Sequence, residues 1–282
     1  VKIQEVELYA PLDDQQGNFE CTCQLTSLNE EFAFADFILK RDNKIWAIIR
    51  GWQNRRLEID ERLWNALISP KHALSTEIVP GVFMFHNAYS RVNSWDFIVK
   101  RYFNQDEKKH YNELPLHKKK EWIISRVAAK DAVKGVLHRD GELHYPVEFA
   151  INSTEAGQPF PEGGAANGIH LSLAHKNTDA VAIARSDRPV GIDIEEVREH
   201  NTAFKELVFD PAELALIGSR DEAEWLTRFW VAKEAYGKSL GKGLRGNPKA
   251  YTVERINGDD LQIKGIIIHT IKYKNYIIGW TS

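Results

Sequence analysis

The sequence is poor in the features that mark several classes of protein. It contains only two cysteines, Cys21 and Cys23, in 282 residues. Two cysteines are too few for a disulfide framework, and no further ligands lie near them for a zinc site. No apolar run approaches the roughly 18 residues of a membrane span, and no signal-peptide pattern stands at the start. We therefore expect a cytoplasmic protein with two reduced core thiols and no membrane partner.

The sequence also lacks a strong excess of charge of either sign. With 37 basic and 40 acidic residues its formal net charge is −3, so its overall electrostatics do not favour a nucleic-acid partner. A hydrophobic content of 43% and a charged content of 27% are typical of a globular protein, and the length suffices for one large or two ordinary domains. Val1 in place of an initiating methionine favours a segment of a longer polypeptide, or a numbering that follows processing.

Two segments nevertheless carry ionisable side chains at informative spacings. The first, at residues 190–195, reads VGIDIE, which predicts a strand. Because side chains alternate between the two faces of a strand, Asp193 and Glu195 project from one face, while Ile192 and Ile194 project from the other. The glycine at position 191 leaves room for a bulky neighbour beside the two carboxylates.

The second segment, at residues 229–238, reads FWVAKEAYGK and predicts a helix. Trp230, Glu234 and Lys238 are spaced four residues apart, so they share one face of that helix. Three carboxylates and a lysine suit a hard cation such as Mg²⁺ that holds a phosphate-bearing substrate. Taken singly, the helical pair is also an ordinary intrahelical ion pair worth about 0.2–0.5 kcal/mol, and the strand carboxylates are also typical of a solvent-exposed edge strand.

Taken together, the two segments resemble the signature of the surfactin-activator type of 4′-phosphopantetheinyl transferase. That signature pairs a G-[IV]-D-x-E strand with a W-x-x-K-E-x-x-x-K helix about forty residues later. Here Asp193 and Glu234 are 41 residues apart, and residues 241–244 read GKGL, like the family's exit from that helix. The resemblance extends over roughly residues 82–282, with Ala174 and Gln158 standing where the family usually has serine and lysine.

The resemblance implies an α+β fold of two pseudo-symmetric halves, each a small antiparallel sheet packed on a long helix, with a coenzyme A cleft between them. The halves would span residues 82–165 and 166–282, after a connector at residues 61–81. Residues 1–60 would form an N-terminal β-meander extension. Independently of the resemblance, the apolar periodicity predicts a long helix from Lys118 to Leu137.

Three further elements follow from local patterns. Asp179–Ala184 predicts a hydrophobic strand that turns through Pro189 into the strand of Asp193, forming a hairpin with His175 at its entrance. A second helix is expected to begin at Pro211, before Trp225. The apolar runs after residue 260 predict closing strands rich in β-branched residues.

The period-two alternation of residues 19–56 predicts a three-stranded meander that ends in GWQNRR. This segment resembles the end of a hot-dog dehydratase domain of polyketide and polyunsaturated-fatty-acid synthases. The hot-dog helix and its catalytic residues are not recognisable in the sequence, so we interpret the segment as a structural remnant or a docking piece without catalysis of its own. Two alternatives stay open: a hot-dog dehydratase fragment, and a non-catalytic module that binds coenzyme A or a carrier protein.

By resemblance, the chain is expected to be a transferase of the holo-[acyl-carrier-protein] synthase type within a polyketide or fatty-acid synthase. It would move 4′-phosphopantetheine from coenzyme A, its co-substrate, to a serine of an apo acyl or peptidyl carrier protein, and release 3′,5′-ADP. Mg²⁺ would be held by Asp193, Glu195 and Glu234. The catalytic residues would be Asp193, Glu234 and Lys238, with Glu234 as the candidate base for the serine.

The residues expected to bind coenzyme A are mostly basic: Lys108, Lys120, Arg126, Gly157, His175, Lys233 and Lys238. Lysine and arginine side chains suit its phosphates. Basic groups also form ordinary solvated helix faces, and a histidine such as His175 is also compatible with a place in the core, so both alternatives stay open.

Overall fold

The computed structural model describes residues 1–10, 18–55, 60–86, 92–139 and 141–282. The chain divides into two compact units, Val1–Asp60 and Glu61–Ser282. None of the helices in the described ranges has both the length and the apolar character needed to cross a bilayer.

The first unit is a four-stranded antiparallel sheet with strand order β1-β4-β3-β2. The strands are β1 (Glu5–Leu8), β2 (Glu20–Leu28), β3 (Phe32–Arg41) and β4 (Lys44–Arg55). Since β2, β3 and β4 pair in chain order, the meander expected from the alternation is confirmed. Arg56, the last residue of the predicted ending, lies outside the described residues.

The two cysteines are exposed, so the expectation of core thiols was wrong. Both lie on β2, an edge strand whose nine residues are all exposed. Period-two alternation predicts that a segment is a strand, but it does not say whether the apolar face is covered. In the described part of this unit, neither face of β2 is buried.

The second unit begins with a four-stranded antiparallel sheet of order β5-β6-β10-β9, packed on a long helix. A two-stranded sheet, β7-β8, follows that helix in the chain. The elements are α1 (Glu61–Ile68), β5 (Thr76–Val79), β6 (Val82–His86), α2 (Val92–Tyr102), α3 (Gln105–Glu113), α4 (Leu116–Arg139), β7 (Ala150–Ser153), β8 (Pro159–Glu162), β9 (His170–Lys176) and β10 (Asp179–Arg185).

The sequence of β10 explains why α4 lies close to this sheet. Val181 and Ile183 join the buried cluster on one face of the strand. Alternation gives the other face to Ala180, Ala182 and Ala184, all of which are buried on the side of α4. Small side chains let the helix approach the strand closely, and α4 confirms the long helix predicted between Lys118 and Leu137.

The rest of the unit is a five-stranded antiparallel sheet of order β11-β15-β14-β13-β12. Helix α7 packs on β11 and β15 and buries Trp225 and Phe229 in its own cluster. The elements are β11 (Ile192–Glu196), α5 (Thr202–Val208), α6 (Pro211–Ile217), α7 (Glu222–Ser239), β12 (Val253–Asn257), β13 (Asp260–Ile263), β14 (Ile266–Tyr273) and β15 (Tyr276–Thr281). The expected α+β class, the helix at Pro211 and the closing strands are confirmed.

The predicted hairpin between the Asp179 strand and the Asp193 strand was wrong. β10 pairs with β6 and β9, whereas β11 pairs with β15 in the other sheet. Ile192 and Ile194 are buried against the Val181 face of the first sheet, so the two sheets pack face to face instead of edge to edge. Because β9 and β10 belong to the first sheet, the chain changes sheets after residue 185 and not at the predicted boundary of 165/166.

Gly191 lies where α7 crosses the start of β11. A Cβ atom at this position would stand 1.8 Å from the carbonyl oxygen of Ala235 and 2.7 Å from the amide nitrogen of Ser239. Both atoms belong to the backbone of the helix and its end, so no side-chain rotation relieves the overlap. The glycine therefore sets how closely Asp193 approaches the helix that carries Glu234.

We expect Gly191→Ala to lower the free energy of unfolding by about 3 kcal/mol or more, because α7 must move away from β11. Urea unfolding followed by circular dichroism measures this loss. Gly168→Ala is the matched control: its φ is +82° and no atom lies within 4 Å of the added Cβ. That variant should lose only about 1–2 kcal/mol, the strain of a left-handed backbone. Equal losses in the two variants would contradict the close crossing.

Candidate active site

Strand β11 and helix α7 bring an aspartate and a lysine together. Ile192 and Ile194 face the core between the sheets, which turns Asp193 toward α7. Lys238 Nζ donates to Asp193 Oδ1 at 2.8 Å and to the carbonyl oxygen of Ile192 at 3.1 Å. Asp193 is only 7% exposed. Burial raises the pKa of its carboxyl, and the positive charge of Lys238 opposes that rise.

Glu234 and Glu195 add two further carboxylates to this arrangement. Burial raises the pKa of Glu234, the negative charges of Asp193 and Glu195 raise it further, and Lys238 opposes them. Glu195 Oε2 lies 2.6 Å from Lys176 Nζ on β9. The three carboxylates are thus close enough to repel one another, and two lysines offset part of that repulsion.

The fit of these residues to a divalent cation is mixed. In the described ranges, no three histidine, cysteine, aspartate or glutamate side chains form a group that could hold a metal ion. Instead, Lys238 and Lys176 each occupy one carboxylate oxygen of the predicted ligand set. Asp193 Oδ2, however, is buried and has no hydrogen-bond partner. An unpartnered buried carboxylate oxygen among repelling carboxylates is chemically suited to a hard cation.

Lys238 also lines a cleft of about 440 Å³. The walls of the cleft come from α4, the β7-β8 segment, β9 and the loop after α7. Its charged lining residues are mostly cationic, with Lys118, Arg126, Lys238 and Lys242 opposed by Glu121. A surplus of positive charge in a concave site favours a polyanionic ligand.

Four of the residues expected to bind coenzyme A line this cleft, namely Arg126, Gly157, His175 and Lys238. Gly157 has a φ of +81° and closes a turn in which its amide donates to the carbonyl oxygen of Thr154 at 2.8 Å. A left-handed backbone of this kind is natural for glycine. The structure thus brings together residues that are far apart in the chain.

Lys108 and Lys120 are not among the described residues that line the cleft; Lys118 lines it in their place. Helical spacing explains the difference. Lys118, Trp122 and Arg126 are four residues apart and share one face of α4, whereas Lys120 is rotated by about 200° from Lys118 and is exposed. This spacing can be recognised in the sequence, because steps of four residues back from Arg126 lead to Trp122 and then to Lys118.

Two donors on that stripe are unsatisfied. Trp122 Nε1 and Arg126 Nε are buried and have no hydrogen-bond partner. The Arg126 guanidinium lies over the Trp122 ring, 5.4 Å from its centroid. Burial lowers the pKa of Arg126, and the carboxylate of Glu107 opposes that change. Because unsatisfied buried donors are rare, these two mark the wall as a place where acceptor atoms of a ligand fit.

His175 is not the core residue that the alternative allowed. Its Nε2 lies 3.0 Å from Glu121 Oε1, and both side chains are partly exposed at the cleft. Gln158, which stands where the family usually has lysine, also lines the cleft and approaches Gly241. An added Cβ on Gly241 would meet Gln158 Oε1 at 2.9 Å.

Lys233 lies away from the cleft, so its expected contact with coenzyme A does not fit the structure. Its ammonium is fully buried, 2.8 Å from Glu213 Oε2, and it donates to the carbonyl oxygens of Val208 and Pro248 at 3.0 and 3.2 Å. One residue of helix rotates a side chain by about 100°, which separates Lys233 from the face of Glu234 and Lys238. Lys233 therefore links α7 to α6 in the interior of the second unit.

We expect Lys233→Met to lower the free energy of unfolding by about 3–5 kcal/mol, because it leaves the buried Glu213 carboxylate with backbone donors but without a counter-charge. Chemical denaturation measures this change. The double variant Lys233→Met/Glu213→Gln should lose less, since no unpaired charge remains in the core. A Lys233→Met protein with unchanged stability and weakened coenzyme A binding would contradict this assignment.

Glu234→Gln should raise the free energy of unfolding by roughly 0.5–1 kcal/mol at pH 8 in EDTA, because it removes a carboxylate whose pKa is raised on folding. A raised pKa in the folded state means that ionisation of the Glu234 carboxyl is less favourable in the native state than in the unfolded state. The ionised carboxylate therefore lowers stability at any pH above the folded pKa, and the glutamine variant is more stable there. This advantage should disappear at about pH 3, well below the ordinary glutamate pKa of 4.5, where the wild-type carboxyl is protonated in both states. Urea unfolding at both pH values measures the difference.

The control for this change is Glu206→Gln, which alters an exposed glutamate on α5. Its stability should stay within about 0.5 kcal/mol of the wild type at both pH values. A Glu234→Gln protein that is less stable than the wild type at pH 8 would refute mutual repulsion among the carboxylates.

Comparisons with known proteins find sequence similarity that includes the strand and the helix of this site. A family model described as the 4′-phosphopantetheinyl transferase superfamily matches residues 189–280, which contain both β11 and α7. The 4′-phosphopantetheinyl transferase gsp of Aneurinibacillus migulanus is 30% identical over 140 residues, covering 45% of this chain and 56% of that protein. The corresponding psf-1 enzyme of Bacillus pumilus is 35% identical over 124 residues, covering 43% and 51%. The chain thus spans about half the length of these two curated relatives.

A shorter relative is matched over most of its length. The holo-[acyl-carrier-protein] synthase of Oceanobacillus iheyensis is 33% identical over 86 residues, which cover 30% of this chain and 72% of that protein. Together with the family match over the strand of Asp193 and the helix of Glu234, this similarity identifies the chain as a member of the 4′-phosphopantetheinyl transferase superfamily.

Proposed function

We propose that this protein transfers the 4′-phosphopantetheine arm of coenzyme A to a serine of a carrier protein and releases 3′,5′-ADP. The observation that carries the proposal is the position of Lys238. This one side chain lines the cationic cleft and donates to Asp193, and so joins a site for a polyanion to a cluster of carboxylates. The diphosphate of coenzyme A needs cationic contacts. Transfer of the phosphopantetheine group to a serine needs a base that accepts the proton of the serine hydroxyl.

Coenzyme A would be held by the stripe on α4 and by the opposite wall of the cleft. Lys118 and Arg126 supply positive charge for its phosphates, and the unpartnered Arg126 Nε and Trp122 Nε1 supply donors. His175 would exchange its contact with Glu121 for a phosphate oxygen. Lys238 would contact the diphosphate beside Asp193.

In the proposed reaction the carrier serine oxygen attacks the phosphorus that bears pantetheine. The bond from this phosphorus to the bridging oxygen breaks, and the nucleotide leaves as 3′,5′-ADP with that electron pair. The proton of the serine passes to a base, for which Glu234 is the candidate, directly or through a water molecule. Burial and neighbouring carboxylates raise the pKa of Glu234, which favours proton acceptance as long as this carboxylate does not also bind a cation.

The same carboxylates are the proposed ligands of Mg²⁺. Asp193, Glu195 and Glu234 would hold the ion, and the unpartnered Oδ2 of Asp193 is the observation that supports this assignment. When bound, the ion would neutralise charge on the diphosphate, as divalent cations do in phosphoryl transfer. Lys238 and Lys176, which now contact Asp193 and Glu195, would be free to move toward the substrate.

The substrate is proposed to be an apo acyl or peptidyl carrier protein, and the setting a polyketide or fatty-acid synthase. The name of the relative from Oceanobacillus iheyensis, holo-[acyl-carrier-protein] synthase, supports an acyl carrier as acceptor. The assignment of residues 1–60 to a hot-dog remnant, residues 61–81 to a connector and the remainder to the transferase stays a proposal.

Mass spectrometry of a carrier protein tests the function. Apo acyl carrier protein incubated with coenzyme A, Mg²⁺ and this protein should gain the mass of one phosphopantetheine arm. Asp193→Ala should reduce the rate roughly 10²–10³-fold, the usual loss when one group that stabilises transferred charge is removed. The variant should remain folded, because it removes a carboxylate that burial already disfavours.

Glu196→Ala is the matched control. Glu196 lies on the same strand but on the opposite face, where it accepts a hydrogen bond from Asn275 Nδ2 at 2.7 Å. Its transfer rate should remain within about threefold of the wild type. Coenzyme A binding without any gain of mass would favour the non-catalytic binding module, and full activity of Asp193→Ala would remove the metal assignment.

A further inference from the structure

A second cavity lies at the opposite end of α4 from the coenzyme cleft. Its volume is about 480 Å³, and it is bounded by residues 71–77, by Phe83 on β6 and by the last two turns of α4. It shares none of its lining residues with the first cleft. No residue of the family signature lines this cavity, so its chemistry depends on a different set of side chains.

Three of the four carboxylate oxygens in this cavity already accept hydrogen bonds from the protein. Asp131 is almost fully buried; its Oδ1 accepts from the Tyr102 hydroxyl at 3.0 Å and its Oδ2 accepts from the amide of Ser75 at 2.8 Å. Glu77 Oε1 accepts from the amide of Gly81 at 2.6 Å. The cavity therefore has few free acceptors for a ligand that donates hydrogen bonds.

Its donors, in contrast, are not used up. Ser75 is 4% exposed, and its hydroxyl is buried with no hydrogen-bond partner. His138 Nε2 is likewise buried with no partner. Lys134 Nζ donates to the carbonyl oxygen of His72 at 2.7 Å and lies 3.9 Å from Asp131, while an ammonium carries three protons. Unsatisfied buried polar groups are rare, and two of them on one cavity, beside a lysine with protons to spare, indicate a missing ligand.

The charged side chains of this cavity also favour an anionic ligand. Lys71, Lys134 and Arg139 line the cavity with two carboxylates, Glu77 and Asp131, before either histidine is counted. The partial negative charge at the end of α4 opposes an anion, but it falls off within one turn, whereas three full cations remain. Burial lowers the pKa of His138, and the positive charges of Lys134 and His144 lower it further.

We propose that this cavity binds an oxyanion, the phosphate or carboxylate group of a small molecule, with Ser75 Oγ, Lys134 Nζ and His138 Nε2 as donors. The cavity has more room than a single phosphate needs, and Ala73 and Phe83 offer apolar surface for the rest of such a molecule. The site does not depend on the proposed transferase reaction, because it is separate from the coenzyme cleft.

Isothermal titration calorimetry of the full 282-residue chain tests the site with inorganic phosphate and, separately, with citrate. Millimolar binding of either probe is expected, and the two titrations distinguish a phosphate site from a carboxylate site. Ser75→Ala should weaken binding roughly 10-fold, because it removes one hydrogen bond to a charged ligand. The Ser75 hydroxyl makes no hydrogen bond of good geometry, although Asp131 lies beside it, and urea unfolding should show that Ser75→Ala stays folded. His138→Phe should weaken binding to a similar degree.

The coenzyme cleft also attracts phosphate, so Arg126→Ala is used to distinguish binding at that cleft from binding at this cavity. Weakening by Ser75→Ala supports the proposal whether or not Arg126→Ala removes a second binding event. The proposal is overturned if neither probe binds, or if Ser75→Ala and His138→Phe bind as tightly as the wild type.

Discussion

The crossing of α7 over the start of β11 is the constraint on which the candidate active site depends. Gly191 admits the backbone of Ala235 at a distance that no other residue tolerates. Lys238 then reaches back across the crossing to Asp193 and to the carbonyl oxygen of Ile192. The strand is held from its other face by Ser172, whose hydroxyl accepts from the amide of Ile192 at 3.1 Å. One short strand is thereby fixed between a helix and the neighbouring sheet.

This arrangement concentrates negative charge at low exposure, which works against stability. Buried carboxylates with raised pKa values are unfavourable in the ionised form, and two lysines relieve the repulsion only in part. Such local conflict is common where a site is built to bind a ligand of opposite charge. The cleft beside it has the reverse imbalance, with cations and unsatisfied donors on its walls. A diphosphate accompanied by a cation would satisfy both.

The lysines of the second unit fall into two groups that sequence alone does not separate. Lys130 and Lys233 are fully buried, and each is paired with a glutamate and with backbone carbonyl oxygens. Burial lowers the pKa of Lys130 to about 8, although Glu107 opposes the change. Lys118 and Lys238 lie on the cleft instead. Lys233 and Lys238 lie on the same helix but on different faces. Lys233 is covered by α6 and stabilises the fold, whereas Lys238 faces the cleft and belongs to the candidate site.

The sequence by itself determined the local elements and the identity of the central residues. Alternation placed Asp193 opposite Ile192, four-residue spacing placed Glu234 beside Lys238, and both hold because a strand and a helix repeat at fixed periods. Periodicity carries no information about which distant segments pair, which explains the incorrect hairpin and the exposed Cys21 and Cys23. Those outcomes were decided by tertiary structure, since the partner of a strand and the cover of a face depend on which distant surfaces pack together.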